Sequence, residues 1–367
     1  MRDAATNGAP ALDATHPMVR LDQVAKAYGT VQALRPIDLE VRKGEFLTLL
    51  GPSGSGKTTL LNMIAGMTGP SQGRVWIDGR DVTETPPAKR GIGMVFQNYA
   101  LMPHMTIFQN IAFPLQIRRV PAAEIRRRVT KVLEIVRLPH VAGRKPRELS
   151  GGQQQRVSLA RCIVYNPSLI LMDEPLGALD KNLREQMQLE IRRLHTELGI
   201  TMVYVTHDQE EALNMSDRIM LMNGGAAEQL ATPHELYFAP CSRFAAEFIG
   251  TSSLVPAEIT GPGMARLVDG TTVVIARGAT TGLGHVMIRP ESMRLTALPG
   301  GASTPNAVHG TLQDTLVTGG TVKHFVTLRT GEMLVIQELE NEHRTNFEHG
   351  QAVSVSWPVN AAIFLDR

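Results

Sequence analysis

The stretch "GPSGSGKTT" (51–59) sets Gly51, Gly56, Lys57 and Thr58 in the pattern GxxxxGK[ST], after the apolar run "FLTLL" (46–50) and before an apolar helical pattern. These residue types at this spacing make a phosphate cradle. Glycines let the segment Gly51, Pro52, Ser53, Gly54, Ser55 and Gly56 wrap closely, so that its N–H groups converge on an anion. Lys57 brings a cation to the β and γ phosphates, the Thr58 hydroxyl is a ligand for Mg²⁺, and Thr59 continues into the helix. The motif predicts binding of a nucleoside triphosphate with Mg²⁺. It leaves the class of NTPase open, because kinases, GTPases, motors and transport ATPases share it.

Three further strings carry groups that act on a bound nucleotide. "SLILMDEP" runs an apolar strand into Asp173 and Glu174. At the carboxyl edge of a sheet beside the phosphate loop, Asp173 belongs to the Mg²⁺ shell, and Glu174 is placed to polarise the attacking water. An aspartate at a strand end is by itself more often a cap or turn residue; the phosphate loop in the same chain tips the reading to a metal site. "MVYVTHD" brings His207 to the same edge, where a neutral imidazole can hydrogen-bond the γ-phosphate. Gln97 in "VFQNYALMPH" follows another strand, and its amide can contact both metal and water. The stretch "RELSGGQQQRVSLARC" (147–162) opens a second candidate anion-facing helix at Ser150, Gly151 and Gly152, about a hundred residues after the first.

The elements that must hold these groups alternate between strand-like and helical patterns from about residue 18 to 240. The runs "FLTLL", "GMVF" (93–96), "LILM" (169–172), "MVYV" (202–205) and "RIMLM" (218–222) are almost continuously apolar, as strands buried on both faces of a parallel sheet must be. Ile125, Val129, Val132, Leu133 and Val136 form one helical stripe; Leu183, Met187, Ile191, Leu194 and Leu198 form another that stops at Gly199. Arg126, Arg127 and Arg128 read as a solvated face rather than a binding site. After about residue 245 the pattern shifts to short alternating runs broken by Gly, Pro and Asn. "VSVSW" (353–357) alternates strictly, and "TVKHFVTLRTGEMLVIQ" reads as two strands about Arg329, Thr330 and Gly331. Residues 245–367 are therefore expected to form a small β domain, a barrel or sandwich, joined through "APCSRF" (239–244). Residues 1–17 read as a flexible tail.

Thirty-seven Lys+Arg against thirty-five Asp+Glu give a formal charge of +2, which offers no nucleic-acid footprint, and none is expected as a partner. The two cysteines, Cys162 and Cys241, lack metal-ligand spacing. No apolar run reaches the roughly 18 residues that cross a bilayer, so any membrane span is expected from another chain.

In the order phosphate loop, Gln97, "LSGGQQQR", "LILMDEP", "LGALD" and "VTHD", these pieces resemble the ATPase subunits of ABC transporters over about residues 18–367. "LSGGQ" is the most specific of them. The resemblance implies a P-loop NTPase α/β core at 18–240, a helical subdomain at about 98–165, and a small all-β, OB-like domain at 245–367. It implies that Tyr28 in "KAYGT" stacks on adenine, that residues 51–59 hold the phosphates of ATP, and that Gln97 is the Q-loop glutamine. Ser150, Gly151, Gly152 and Gln153 would be signature contacts, Asp173 and Glu174 metal-site residue and general base, Asp180 the D-loop aspartate and His207 the switch histidine. "LGALD" departs from the family in carrying Gly177 where serine is common.

"FIGTSSLVPAEI", "VMIRPESMRL" and "VSWPVNAAIFL" are similar to the C-terminal module of importer ATPases, and "PPAKRGIGMVFQNYALMPHMTIFQNIAFPL" is most similar to the spermidine/putrescine branch. The implied function is ATP hydrolysis that energises polyamine import, with iron, sulfate, sugar or phosphonate as alternative cargo. The implied partners are a second ATPase subunit in a head-to-tail homodimer, two membrane permease subunits, and through them an extracytoplasmic solute-binding protein. The implied location is the cytoplasmic face of the plasma membrane. A non-transport ABC ATPase of repair or translation is a weaker reading, because neither an inserted coiled coil nor a second ATPase unit is visible in the sequence.

Overall fold

A computed structural model describes residues 17–278, 281–298, 305–340 and 346–366; of the expected tail, all but Pro17 lies outside them. The chain divides into two compact units after Pro233. In order, the first comprises β1 (Val19–Tyr28), β2 (Val31–Val41), β3 (Phe46–Leu50), α1 (Lys57–Ala65), β4 (Gln72–Ile77), β5 (Arg80–Asp81) and β6 (Gly93–Val95). There follow α2 (Ile107–Ile117), α3 (Ala122–Ile135), α4 (Gly151–Ile163), β7 (Leu169–Asp173), α5 (Lys181–Leu198), β8 (Thr201–Thr206), α6 (Gln209–Met215), β9 (Arg218–Asn223) and β10 (Ala226–Ala231).

The central sheet has the order β10-β9-β3-β8-β7-β6, with β9, β3, β8, β7 and β6 parallel and β10 antiparallel at one edge. Period-2 alternation sends its strands into two separate cores. Leu47, Leu49, Leu169, Leu171, Val203 and Val205 pack with α1 and the antiparallel sheet β2-β1-β4-β5. Phe46, Ile170, Met172, Met202 and Tyr204 pack on the other face with residues of α2, α3, α4 and α5. Burial on both faces is why these runs are continuously apolar in sequence. Every sheet residue of β3 and β8 is buried.

Helix ends follow local chemistry. Thr106 and Gln109 form a capping box at the start of α2, and Gly199, at φ 61°, ends α5 in the left-handed conformation that an alanine would resist. The expected stripes are the buried ones: Ile125, Val129, Val132 and Leu133 on α3, and Met187, Ile191 and Leu194 on α5. On the solvated side of α3, Arg127 and Arg128 pair with Glu124, whose carboxyl their hydrogen bonds pull down to about 2.

The second unit begins at His234, ahead of the segment 239–244 read from sequence as a connection. The short helix α7 (Pro233–Phe238) spans the division, and α8 (Arg243–Phe248), capped by Ser242, follows it. Then come β11 (Ser253–Gly261), β12 (Met264–Leu267), β13 (Thr272–Val274), β14 (Gly282–Ile288), β15 (Arg294–Ala297), β16 (Ala307–Thr318), β17 (Thr321–Leu328), β18 (Met333–Leu339), β19 (Ala352–Ser356) and β20 (Ile363–Leu365). They form two five-stranded sheets, β13-β12-β11-β14-β20 and β15-β19-β16-β17-β18, around one core that includes Val255, Val286, Val326, Val355 and Trp357. The two strands about Arg329–Gly331 are β17 and β18, antiparallel and in register from Thr321↔Leu339 to Thr327↔Met333. The alternating "VSVSW" falls in β19 and its continuation, and both side-chain faces are covered there: Ser354 and Ser356 are buried along with Val353 and Val355.

Candidate nucleotide site

The parallel pairing puts the carboxyl ends of β3, β8, β7 and β6 along one edge of the sheet, with Leu50 opposite Thr206, Val205 opposite Asp173 and Met172 opposite Val95. The loops that leave those ends carry the phosphate loop, His207, Asp173 with Glu174, and Gln97. In an open α/β sheet this edge is where ligands bind.

The phosphate loop has glycine where no other residue fits. Gly51 has φ 154°, and a Cβ there would lie 2.3 Å from the Met222 carbonyl oxygen; Gly56 has φ 96°, and its Cβ would lie 2.5 Å from Leu34 Cδ2. Gly56 caps α1 without a side-chain hydrogen bond, so the first-turn N–H groups of α1 have no side-chain acceptor and form an anion site. Lys57 is buried and donates to the carbonyls of Gly51 and Pro52 at 2.7 and 2.9 Å. Burial lowers its pKa, against the opposing pull of Glu174 and Asp173. Ser55 Oγ is buried without a hydrogen-bond partner. An unsatisfied hydroxyl inside a loop of converging N–H groups fits a phosphate. The adjoining cleft, about 600 Å³, is lined by Val31, Gln32, Ala33, Lys57, Thr58 and Glu174 among others.

Thr58 Oγ1 donates to Asp173 Oδ1 at 3.1 Å, which joins the helix start to the end of β7. Burial raises the Asp173 pKa. Glu174 takes φ 42°, a conformation that costs a non-glycine residue about 1–3 kcal/mol, and its N–H donates to Val205 O at 3.0 Å. That strained turn aims the carboxylate along the sheet edge, and Glu174 Oε2 lies 3.2 Å from His207 Nδ1. His207 is 58% exposed and so can reach a ligand. A Cβ built on Gly177 would lie 3.8 Å from Gln97 Nε2 and 4.0 Å from Glu174 Oε2, so the glutamine amide and the carboxylate converge on that point. Both distances are ordinary contacts. The glycine departure therefore relieves no clash.

The remaining sequence-selected residues stand outside this cleft. Ser150 caps α4, its hydroxyl accepting from Gln153 N at 3.4 Å while Gln153 Oε1 accepts from Ser150 N at 3.1 Å. Gly151 and Gly152 form the first turn; a Cβ at 152 would press to 2.8 Å of Leu183 Cδ1. Asp180 caps α5 through Leu183 N at 3.0 Å. None of Ser150, Gly151, Gly152, Gln153 and Asp180 lines the phosphate cleft. Tyr28 is 53% exposed at the β1–β2 hairpin, with Lys26 Nζ 5.0 Å from its ring centroid.

Two groupings escaped the sequence reading. Tyr99 and Ala100, just after Gln97, have φ of 56° and 48° and are held so by α4: Ser158 Oγ and Arg161 Nη2 donate to Tyr99 O, and Arg161 Nη1 to Ala100 O at 2.7 Å. Behind His207, the buried Glu211 accepts from Tyr204 OH and Thr206 Oγ1, each at 2.7 Å. A signal for the second exists, since Asp208-x-x-Glu211 is a capping-box pattern. Asp208 does cap α6, but Glu211 turns inward to the two hydroxyls. Beside the Gln97 loop an apolar groove of about 680 Å³ is lined by Pro87, Met94, Ala100, Met102, Phe113 and Arg161 among others.

Comparison with known proteins agrees with this geometry. A family model described as ABC transporter matches residues 34–177, and one described as TOBE domain matches 286–365. The spermidine/putrescine import ATP-binding protein PotA of Thermobifida fusca is 46% identical over 96% of this chain and 96% of its own. The protein of the same name from Vibrio cholerae is 41% identical over 93% and 92%. Among solved structures, a bacterial ABC transporter cassette in dimeric form is similar with a TM-score of 0.53 and 36% identity, over 59% of this chain and 99% of that one. The same cassette in a post-hydrolysis state bound to ADP and Pi gives 0.53 and 35%. With relatives this similar along nearly its whole length, and the motifs of a nucleotide site gathered on one sheet edge, the chain belongs to the ATP-hydrolysing subunits of the ABC transporter family.

Proposed function

We propose that two copies of this chain bind and hydrolyse ATP to energise polyamine import through a membrane permease. The observation that carries the catalytic part is the convergence of Glu174, His207 and Gln97 beside the Thr58–Asp173 pair. Glu174 acts as general base toward water, His207 holds the Glu174 carboxylate and the γ-phosphate in register, and Lys57 with the α1 N–H groups neutralises the phosphates. No group of three or more His, Cys, Asp or Glu side chains able to hold a metal occurs among the described residues. A sparse all-oxygen pair, Thr58 and Asp173, fits Mg²⁺, which keeps most of its shell for phosphate and water; the Gln97 amide oxygen would be a further ligand. When bound, the ion supplies charge neutralisation at the phosphate oxygens.

The helix start at Ser150 lies outside the cleft of its own chain, which suits an N–H cluster serving the ATP of the partner copy. In the same dimer Asp180 is placed by α5 to communicate between the two sites. Tyr28, exposed at the hairpin that flanks the cleft, is the stacking surface for adenine. The apolar groove beside the Gln97 loop receives a helix of the permease, of which two subunits complete the transporter, and these engage a solute-binding protein on the far side. No helix among the described residues is long and apolar enough to cross a membrane. In this reading the chain works at the cytoplasmic face of the permease, where ATP is found. The cargo, spermidine or putrescine, follows the names of the import relatives.

Glu174→Gln tests the chemistry. General-base catalysis contributes about 10²–10⁴ in rate, so turnover should fall by that factor while ATP binding persists and closed dimer accumulates. Near-normal hydrolysis would remove Glu174 from the mechanism. Uptake of labelled spermidine in cells with and without the chain tests the cargo; equal uptake refutes it.

A further inference from the structure

Arg184, in the first turn of α5, joins two loops that the reaction must keep in register. Its Nη2 donates to Leu179 O at 3.1 Å, in the turn that runs on from Glu174, and its Nη1 donates to Asp208 Oδ2 at 3.0 Å, next to His207. Its Nε lies 3.8 Å from Glu211 Oε1. The far side of this link is equally determined. Asp208 Oδ1 accepts from the N–H groups of Glu210 and Glu211, Thr206 Oγ1 accepts from Asp208 N at 3.0 Å, and the same hydroxyl donates to Glu211 Oε2. His207 is thus flanked on both sides by residues tied to one network, while its own ring reaches out to Glu174. The near side is a tight turn, closed by Gly177 N to Glu174 O at 3.3 Å and Leu179 N to Leu176 O at 3.1 Å.

We infer that Arg184 is a positioning residue for ATP hydrolysis: by bridging the Leu179 carbonyl and the Asp208 carboxylate, it fixes the separation of Glu174 and His207. A guanidinium suits this task because its planar fork can satisfy two acceptors in fixed directions, which an ammonium does not do. Arg184 acts through the two loops it joins, and so through the placement of His207 relative to Glu174. The inference rests on the assignment of Glu174 and His207 as the hydrolytic pair.

The test uses the full-length chain. Misplacement of a catalytic group by about 1 Å can cost on the order of 10²-fold. Arg184→Met should therefore lower kcat by about 10- to 100-fold, with KM for ATP and binding of a fluorescent ATP analogue within about twofold of the parent. Arg184→Lys should recover part of the loss. The decisive comparison is the same substitution in a His207→Ala background, where Arg184→Met should cost almost nothing further, since the residue through which it acts is gone. Should Arg184→Met lose its fold, Asp208→Asn serves in its place: asparagine keeps the helix cap but weakens the ion pair, and the same fall in kcat is expected. Unchanged kcat in the folded variant, or a loss that multiplies undiminished with that of His207→Ala, overturns the inference. If instead Glu174→Gln retains turnover, the failure lies in the hydrolytic pair itself.

Discussion

At the scale of single residues the site is set by a few positions with little tolerance. Gly51 combines φ 154° with a carbonyl oxygen where a Cβ would fall, and Gly51→Ala should destabilise the first unit by about 2–3 kcal/mol, measured by denaturant unfolding. Gly177 is the opposite case. Its Cβ position is open, with the nearest atom at 3.6 Å, so Gly177→Ser should leave stability within about 0.5 kcal/mol and can be used to restore the family's common D-loop residue. At Ser150 a long cation would cover the α4 start without touching the phosphate loop of the same chain. Ser150→Arg should bind ATP as the parent does in monomeric form, yet fail to dimerise on ATP in size-exclusion chromatography and lose turnover. Normal hydrolysis by that variant would rule out sharing of ATP between copies.

Elements show which parts of this were legible beforehand. The phosphate loop, the Asp173–Glu174 pair and His207 were readable because each is a short string at the end of an apolar run, and parallel pairing alone brings the ends of such runs to one edge. The Arg184–Asp208–Glu211 network was not, because it joins α5 to α6 across 24 positions and uses residues that resemble solvated helix charges in sequence. The burial of Ser354 and Ser356 in β19 was not legible either: alternation reports side-chain direction and not what covers the second face.

The C-terminal turn of α5 carries a further consequence of packing. His195 Nε2 lies 3.0 Å from Gly44 O and its ring meets Phe46 edge-on. Burial lowers its pKa below the usual 6.5, the nearby Asp217 opposing. The unfolded chain then takes up the proton first as pH falls, so the contribution of His195 is complete above about pH 6.5 and is lost as pH drops toward the folded value. Denaturant unfolding at pH 7.5 and 5 should show a loss that is smaller in His195→Gln; identical pH dependence would assign the loss to other groups.

On the scale of the whole molecule, nearly all the chemistry named above belongs to the first unit, and the second is two five-stranded sheets about their own core, preceded by short helices. Its architecture was recognisable from the switch in sequence grammar, but the exact division was not, because α7 and α8 are short segments whose packing decides their allegiance. The groove beside the Gln97 loop is where the proposed docking of a permease helix can be tested. Introducing a charge there, as in Met102→Glu, should depress transport in membranes far more than ATP hydrolysis by the isolated chain, since a buried unpaired carboxylate disfavours docking of an apolar helix.

That groove shares Ala100 and Arg161 with the hydrogen bonds that hold Tyr99 and Ala100 in left-handed geometry. Two successive non-glycine residues in that region raise the energy of the loop by a few kcal/mol, and the donors that oppose its release, Ser158 and Arg161, belong to the helix that begins at Ser150. The loop is in effect latched in a strained shape by side chains of α4. The backbone angles of Tyr99 and Ala100 therefore depend on where α4 holds its side chains, which ties the wall of the groove to the position of that helix.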